Sequence, residues 1–206
     1  MFHSRKVFIN AEMITIVDYE DSNAIELGEC LNQLTGDFVV SNSEIDICRA
    51  SKIIFSGNGN ANHAMKRIHL LNLFSVLRII RKPILGIGLG MQLMADYSLE
   101  GNISCLGIFP GTAQKFENKK LNVINEGMQS VSIKRESKLF NGINNDEKFY
   151  FHHTYYLPLS EHTTSTSKHN IDFSASIEKN SSLGVQFHPE KSGDVGLQML
   201  SNFIRL

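Results

Sequence analysis

The sequence has no tryptophan, only four prolines and three cysteines, and no apolar run approaching the ~20 residues that a membrane span needs. Cys30, Cys48 and Cys105 are odd in number and show neither CxxC nor Cys/His ligand spacing, which argues against a disulfide framework and a structural zinc site. They read as core thiols. Charge of one sign is missing too: 20 basic residues stand against 21 acidic ones, dispersed along the chain, so neither nucleic acid nor an anionic membrane is indicated as a partner. Residues 1–12 carry Arg5 and Lys6 but lack the apolar core and cleavage site of a signal peptide, and a cytosolic protein is expected. No pattern calls for a metal or a cofactor.

What is present suits a single core-forming domain, with 42% hydrophobic residues in a chain of 206. Met13 to Tyr19 reads as a buried first strand, so the domain is expected to run over 13–206 with residues 1–12 as an extension. Ile25, Leu27, Cys30, Leu31 and Leu34 mark an amphipathic helix closed by Gly36. Phe38 to Val40 and Lys52 to Phe55 read as strands, and Ser56 to Asn62 as a loop. The spacing predicts one helix over Ile68–Ile80, stopped by Pro83. Repeated β-loop-α units predict an α/β fold: a flavodoxin-like, open, mostly parallel sheet with helices on both faces. After Pro110 the runs shorten (Thr112 to Phe116, Asn122 to Ile124, Ser130 to Lys134, Phe149 to Phe151, Ala175 to Ile177) and point to an added antiparallel portion. Ser160 to Asn170, rich in Ser, Thr and His, reads as a flexible loop. Leu183 to Phe187 is a last buried strand, and Val195, Met199, Leu200 and Phe203 line a closing helix.

Two stretches carry chemistry. Pro83 to Leu93 is a strand that breaks at Gly86, Gly88 and Gly90 and resumes at once as a helix, the geometry of a nucleophile elbow with Gly88 at its tip. A dinucleotide-binding loop is the rival reading, against which stand Met91 at the third glycine position and the distance from the first strand. His188-Pro189-Glu190 follows a buried strand, at the end where open α/β sheets keep their sites. A carboxylate two residues from a histidine suits an oriented general base, although a surface turn would show the same residues.

Together these stretches resemble the class I glutamine amidotransferases. Gly86-Ile87-Gly88-Leu89-Gly90-Met91-Gln92 resembles the family's G-x-C-x-G-M-Q elbow, and His188-Pro189-Glu190-Lys191-Ser192 resembles its His-Pro-Glu-Lys-Ser. Within the family the likeness is greatest to the glutaminase subunits of imidazole glycerol phosphate synthases, and it takes in Val17-Asp18-Tyr19, Phe151 to Tyr156 and Gly184 to Phe187. The resemblance implies a cysteine that attacks the glutamine carboxamide, with His188 as base and Glu190 as its orienter. It implies a glutamine pocket lined by Gln92, Glu100, Thr154 and Tyr155, and oxyanion donors from Leu89 and from Gly57 and Asn58. It also implies ammonia passing to a (β/α)8-barrel cyclase partner in a heterodimer, with Lys191 and Met128 at the interface. Each pocket residue has a plainer reading: Gln92 as an intrahelical hydrogen-bonding residue, Glu100 as a solvated carboxylate, and Tyr155 as a strand residue.

The chain departs from the family where the reaction would occur. Gly88 stands in the cysteine position, Ser56 and Asn58 replace the Pro and Val of the oxyanion loop, and Glu20 replaces a glycine after Asp-Tyr. Asn125-Glu126-Gly127-Met128 stands near a segment that in the family reads Pro-His-Met-Gly-Trp. Loss of a nucleophile costs on the order of a millionfold in turnover, so glutaminase activity is expected to be absent or very low. The resemblance leaves open a docked subunit, a glutamine-binding or regulatory pseudoenzyme, and a component of a related surface-sugar amidotransferase.

Overall fold

The computed structural model describes residues 13–20, 23–117 and 124–206. The expected extension at 1–12 and most of the run at 122–124 lie outside them. The first half winds as β1 (Ile14–Val17), α1 (Ala24–Asn32), β2 (Phe38–Ser41), α2 (Glu44–Arg49) and β3 (Lys52–Gly57). It continues through α3 (Ala61–Leu70), α4 (Leu73–Ile79), β4 (Ile84–Gly88) and α5 (Leu89–Leu93). Short strands follow: β5 (Tyr97–Ser98), β6 (Ile103–Ser104), β7 (Thr112–Lys115), β8 (Asn125–Ser130) and β9 (Ser132–Ile133). Last come β10 (Lys148–His153), β11 (Tyr155–Tyr156), β12 (Thr163–His169), β13 (Ile171–Lys179), β14 (Ser182–Val185) and α6 (Gly193–Ile204).

The main sheet has the order β2-β1-β3-β4-β14-β13-β12-β9. From β2 to β14 neighbouring strands run parallel, and from β14 to β9 they run antiparallel. This is the mixed α/β architecture expected, with the antiparallel portion supplied by the second half. Alternate strand residues feed two cores. Ile53 and Phe55 join Ile47, Ile68 and Leu77 of α2, α3 and α4 on one face. Ile14, Ile16 and Ile54 join Leu27, Leu31, Met199 and Phe203 of α1 and α6 on the other. Burial on both faces is why β1, β3 and β4 read as continuous apolar runs. Among the described residues no helix is long and apolar enough to cross a membrane.

Two expectations are corrected. The single helix over 68–80 is two: α3 starts at Ala61, where Asn60 Oδ1 accepts the Asn62 and His63 N–H groups, and the chain breaks at Asn72, whose φ of 58° is left-handed. Asparagine tolerates that conformation well enough to end one helix and start the next. The flexible loop at 160–170 is mostly the ordered strand β12. Its hydroxyls are buried and pair across the ladder, Thr163 with Ser174, and Thr164 and Ser165 both with Ser176, at 2.6–2.7 Å. Polar side chains that satisfy one another need no water, so composition misleads there.

Candidate active site

The parallel strands β1, β3, β4 and β14 end on one side of the sheet, the side where open α/β sheets keep their sites. Every motif residue sits around that end. β4 terminates at Gly88, with φ 59° and ψ −118°, and α5 begins at Leu89. The turn is this tight because Gly90 packs on β3: a Cβ there would lie 1.8 Å from the Phe55 carbonyl oxygen. Leu89 N–H opens the helix and has no partner within it, which leaves it available to an anion. A Cβ placed on Gly88 would lie 2.9 Å from His188 Cε1 and 3.1 Å from its Nε2. The elbow therefore aims its empty position at the histidine.

That position is closed. The nearest atom to it is the Gly57 carbonyl oxygen, 2.8 Å from the virtual Cβ. Gly57 pairs with Gly88 across β3 and β4. In a planar trans peptide the Asn58 N–H points opposite to the Gly57 carbonyl, so the strand turns an acceptor, not a donor, toward the elbow. An oxyanion forming there would meet a lone pair.

His188 leaves β14 held by its own N–H to the Tyr150 carbonyl (2.8 Å) and by the Ser192 hydroxyl on its carbonyl (2.6 Å). Its ring is 2% exposed and the Glu190 side chain is fully buried. Nδ1 lies 2.8 Å from Glu190 Oε1, so Nδ1–H donates to the carboxylate and Nε2 faces the elbow as acceptor, the tautomer a base needs. Burial alone would push the Glu190 carboxyl up. The His188 hydrogen bond and charge, the residue's own backbone N–H and the Asn23 amide outweigh it and hold the carboxyl below its ordinary value.

Gln92, Glu100, Thr154 and Tyr155 line one cavity of about 110 Å³, together with Asn58 and Leu89. Neither Gly88 nor His188 lines it. Gln92 Nε2 donates to the Tyr155 carbonyl (2.8 Å) and to Gln186 Oε1 (3.0 Å), outside its own helix. Glu100 Oε2 accepts the Ala61 N–H at the start of α3 (2.8 Å), so one of its oxygens is committed to a helix terminus. A larger groove, about 1,020 Å³, lies at the opposite end of the sheet beside Pro83, Ser181 and Leu183, away from every motif residue. Lys191 is exposed, as is Met128 on the β8–β10 ribbon, paired there with Tyr150.

Several buried polar residues escape a reading of the sequence. His153 donates from Nδ1 to the Tyr155 carbonyl (2.7 Å) and accepts at Nε2 from Asn125 (2.9 Å), whose Oδ1 accepts from Gln129. Burial drives its pKa down to about 3. Asn23 reaches Glu190 with its amide. The available signal for Gln186 is a polar residue within an apolar run, two positions before His188. None of the three cysteines lies at the elbow. Burial pushes the Cys105 thiol up to about 12, and Cys30, raised by burial and by Glu190 and Glu29, points its sulfur at the Glu190 carbonyl. Cys48, on α2, is exposed and Cys30 half-buried, so only Cys105 is the core thiol expected of all three.

Comparison with known proteins bears on the family and the fold. The family model for glutamine amidotransferase class-I matches residues 15–206. The imidazole glycerol phosphate synthase subunit HisH 2 of Legionella pneumophila is 35% identical over 195 residues, covering 94% of this chain and 98% of that one. HisH of Bacteroides fragilis is 36% identical over 195 residues, 94% and 99% of the two chains. Among solved structures, a GMP synthase component from Thermoplasma acidophilum superposes with a TM-score of 0.70 at 19% identity, covering 94% of this chain and 92% of that one. PurLQS from Thermotoga maritima gives 0.68 at 16%, with 94% and 97% covered, and these two show the fold alone. With a histidine–carboxylate pair facing a strand-to-helix elbow, and a family model matching almost the whole described chain, this protein belongs to the class I glutamine amidotransferases.

Proposed function

We propose that the chain is an amidotransferase subunit of the imidazole glycerol phosphate synthase kind that docks on a (β/α)8-barrel cyclase of histidine biosynthesis but does not itself hydrolyse glutamine. The observation that carries this is the elbow: His188 and Glu190 are in register for base chemistry, while Gly88 offers no nucleophile and its Cβ position is already in contact with the Gly57 oxygen and the His188 ring. Water assisted by His188 is a far weaker nucleophile than a thiolate and does not replace it. The cyclase then draws on free ammonia or on a second, competent amidotransferase. The similarity to HisH chains over nearly their full length supports the choice of partner, as do the exposed Met128 and Lys191.

Gel filtration of an equimolar mixture with a histidine-pathway cyclase, at micromolar concentration, is expected to give a heterodimer. In that complex cyclase turnover is supported by ammonium and not by glutamine. Two separate peaks, or glutamine-dependent turnover, would sink the reading. The cavity around Gln92, Thr154 and Tyr155 supports a second role, retention of glutamine as a bound ligand without turnover. Calorimetry with glutamine on the same complex separates the two, because docking alone predicts no heat.

A further inference from the structure

Asn23 occupies the N-cap position of α1, where asparagine is among the best residues for capping. Its side chain makes no cap hydrogen bond. The residue is 2% exposed, and its Nδ2 lies 3.0 Å from Glu190 Oε1 and 3.3 Å from His188 Nδ1. Since Nδ1 carries the proton shared with Glu190, the amide donates to the carboxylate oxygen and sits against the ring edge. Its backbone N–H donates to the Ser56 hydroxyl on β3 (3.3 Å), so the residue is anchored to the strand that faces the elbow. An asparagine that serves only to start a helix would turn its oxygen back to the N2 and N3 amides. Here that capping contribution is given up.

We propose that Asn23 is a positioning residue: its amide, anchored through Ser56, fixes the Glu190 carboxylate and thereby the His188 tautomer. The proposal rests on reading His188 and Glu190 as a base and its orienter, and is independent of which partner docks. Two groups donate to Oε1 from fixed directions, which leaves the carboxylate one orientation and the ring one protonated nitrogen.

The test is carboxyl-carbon NMR titration of Glu190, with observation of the His188 Nδ1 proton, in the intact chain. Asn23→Ser retains a capping side chain for α1 but is too short to reach Glu190; Asn23→Asp retains the shape but replaces the donor with a second carboxylate. Both are expected to move the Glu190 midpoint upward, Asn23→Asp further, and to broaden the His188 Nδ1 proton. Ser56→Ala, which removes only the anchor, is expected to speed hydrogen exchange at the Asn23 amide. A Glu190 midpoint unchanged in both Asn23 variants overturns the proposal and returns Asn23 to a structural role. Should Asn23→Ser fail to fold, Asn23→Asp carries the same readout. A wild-type Glu190 that titrates in the ordinary carboxylate range, without a His188 Nδ1 proton resonance, refutes the base–orienter reading itself.

Discussion

Placing a thiol at the elbow by Gly88→Cys tests the proposal that this chain lacks turnover for want of a nucleophile alone. The elbow φ of 59° is free for glycine and costs other residues roughly 1–2 kcal/mol. The new Cβ also starts 2.8 Å from a backbone oxygen, so β3 must give way at Gly57 before the side chain fits. A loss of about 2 kcal/mol follows from the backbone conformation alone, equivalent to a fall of about 4–8 °C in Tm for a chain of this size. The cysteine would lie against His188 Nε2, and its thiolate is expected to react with iodoacetamide at neutral pH, faster than any wild-type cysteine. Turnover is another matter. With the Gly57 carbonyl facing the elbow, at least one oxyanion donor is missing, and one such donor accounts for about 10²–10³ in rate. Glutamate release from glutamine should therefore stay at least that far below an intact amidotransferase, with or without the cyclase. Calorimetric melting, alkylation rate and a coupled glutamate assay read the three effects. A variant that melts no lower than wild type and turns over at a full family rate would refute the reasoning, because it would mean the strand presents its donors unaided.

Further outcomes follow from buried groups. His153 has a folded pKa of about 3 against an ordinary 6.5, so the unfolded chain binds the extra proton between those values; stability is complete above pH 6.5 and falls by up to about 5 kcal/mol as pH drops toward 3. Urea melts at pH 7, 5.5 and 4.5 should show this slope, and His153→Leu should flatten it. Glu190, depressed in the fold, adds a loss that begins as pH falls through the ordinary carboxylate range and continues below it, and Glu190→Gln should remove that component alone. Ser176→Ala strips the partner from two buried hydroxyls, Thr164 and Ser165, and should cost about 1–3 kcal/mol by denaturant titration. Glu20 has a φ of 78° and an exposed ion pair to Arg67; relieving the first outweighs losing the second, so Glu20→Gly should leave Tm unchanged or raise it by a few degrees.

The alternation of buried strands and helices made the sheet readable in advance, because β1, β3, β4 and β14 are apolar on both faces and each is bounded by glycine, proline or a polar turn. What sequence pattern missed follows from one physical cause: polar residues that are paired inside the protein look like solvent-facing ones. β12 reads as a Ser/Thr loop because its hydroxyls find each other rather than water. Asn23 reads as a helix cap because its residue type suits a cap, whereas its amide is engaged 167 positions away. The start of α3 was hidden among Asn58, Gly59 and Asn60, which look like a loop until Asn60 is seen capping the helix.

The same physics accounts for the asymmetry at the elbow. Glycine at a position of positive φ carries no backbone strain. Removing His188 or Glu190 is different in kind. Glu190 is fully buried, and its Oε2 already lacks a hydrogen-bond partner among the described residues. Without the histidine it would be an uncompensated buried charge, costing about 3–5 kcal/mol. The fold thus accommodates glycine at the elbow and resists losing His188 or Glu190. The intact His188–Glu190 pair is therefore evidence for the amidotransferase fold and carries no weight as evidence for turnover. His188→Ala is expected to lower stability by leaving Glu190 without its partner, while Gly88→Ser, at the same site, lowers it through φ and the close approach of its Cβ to the Gly57 oxygen. Denaturant melts of the two side by side, with the histidine variant losing more, would support separating the pair's structural role from catalysis, and equal losses would refute it.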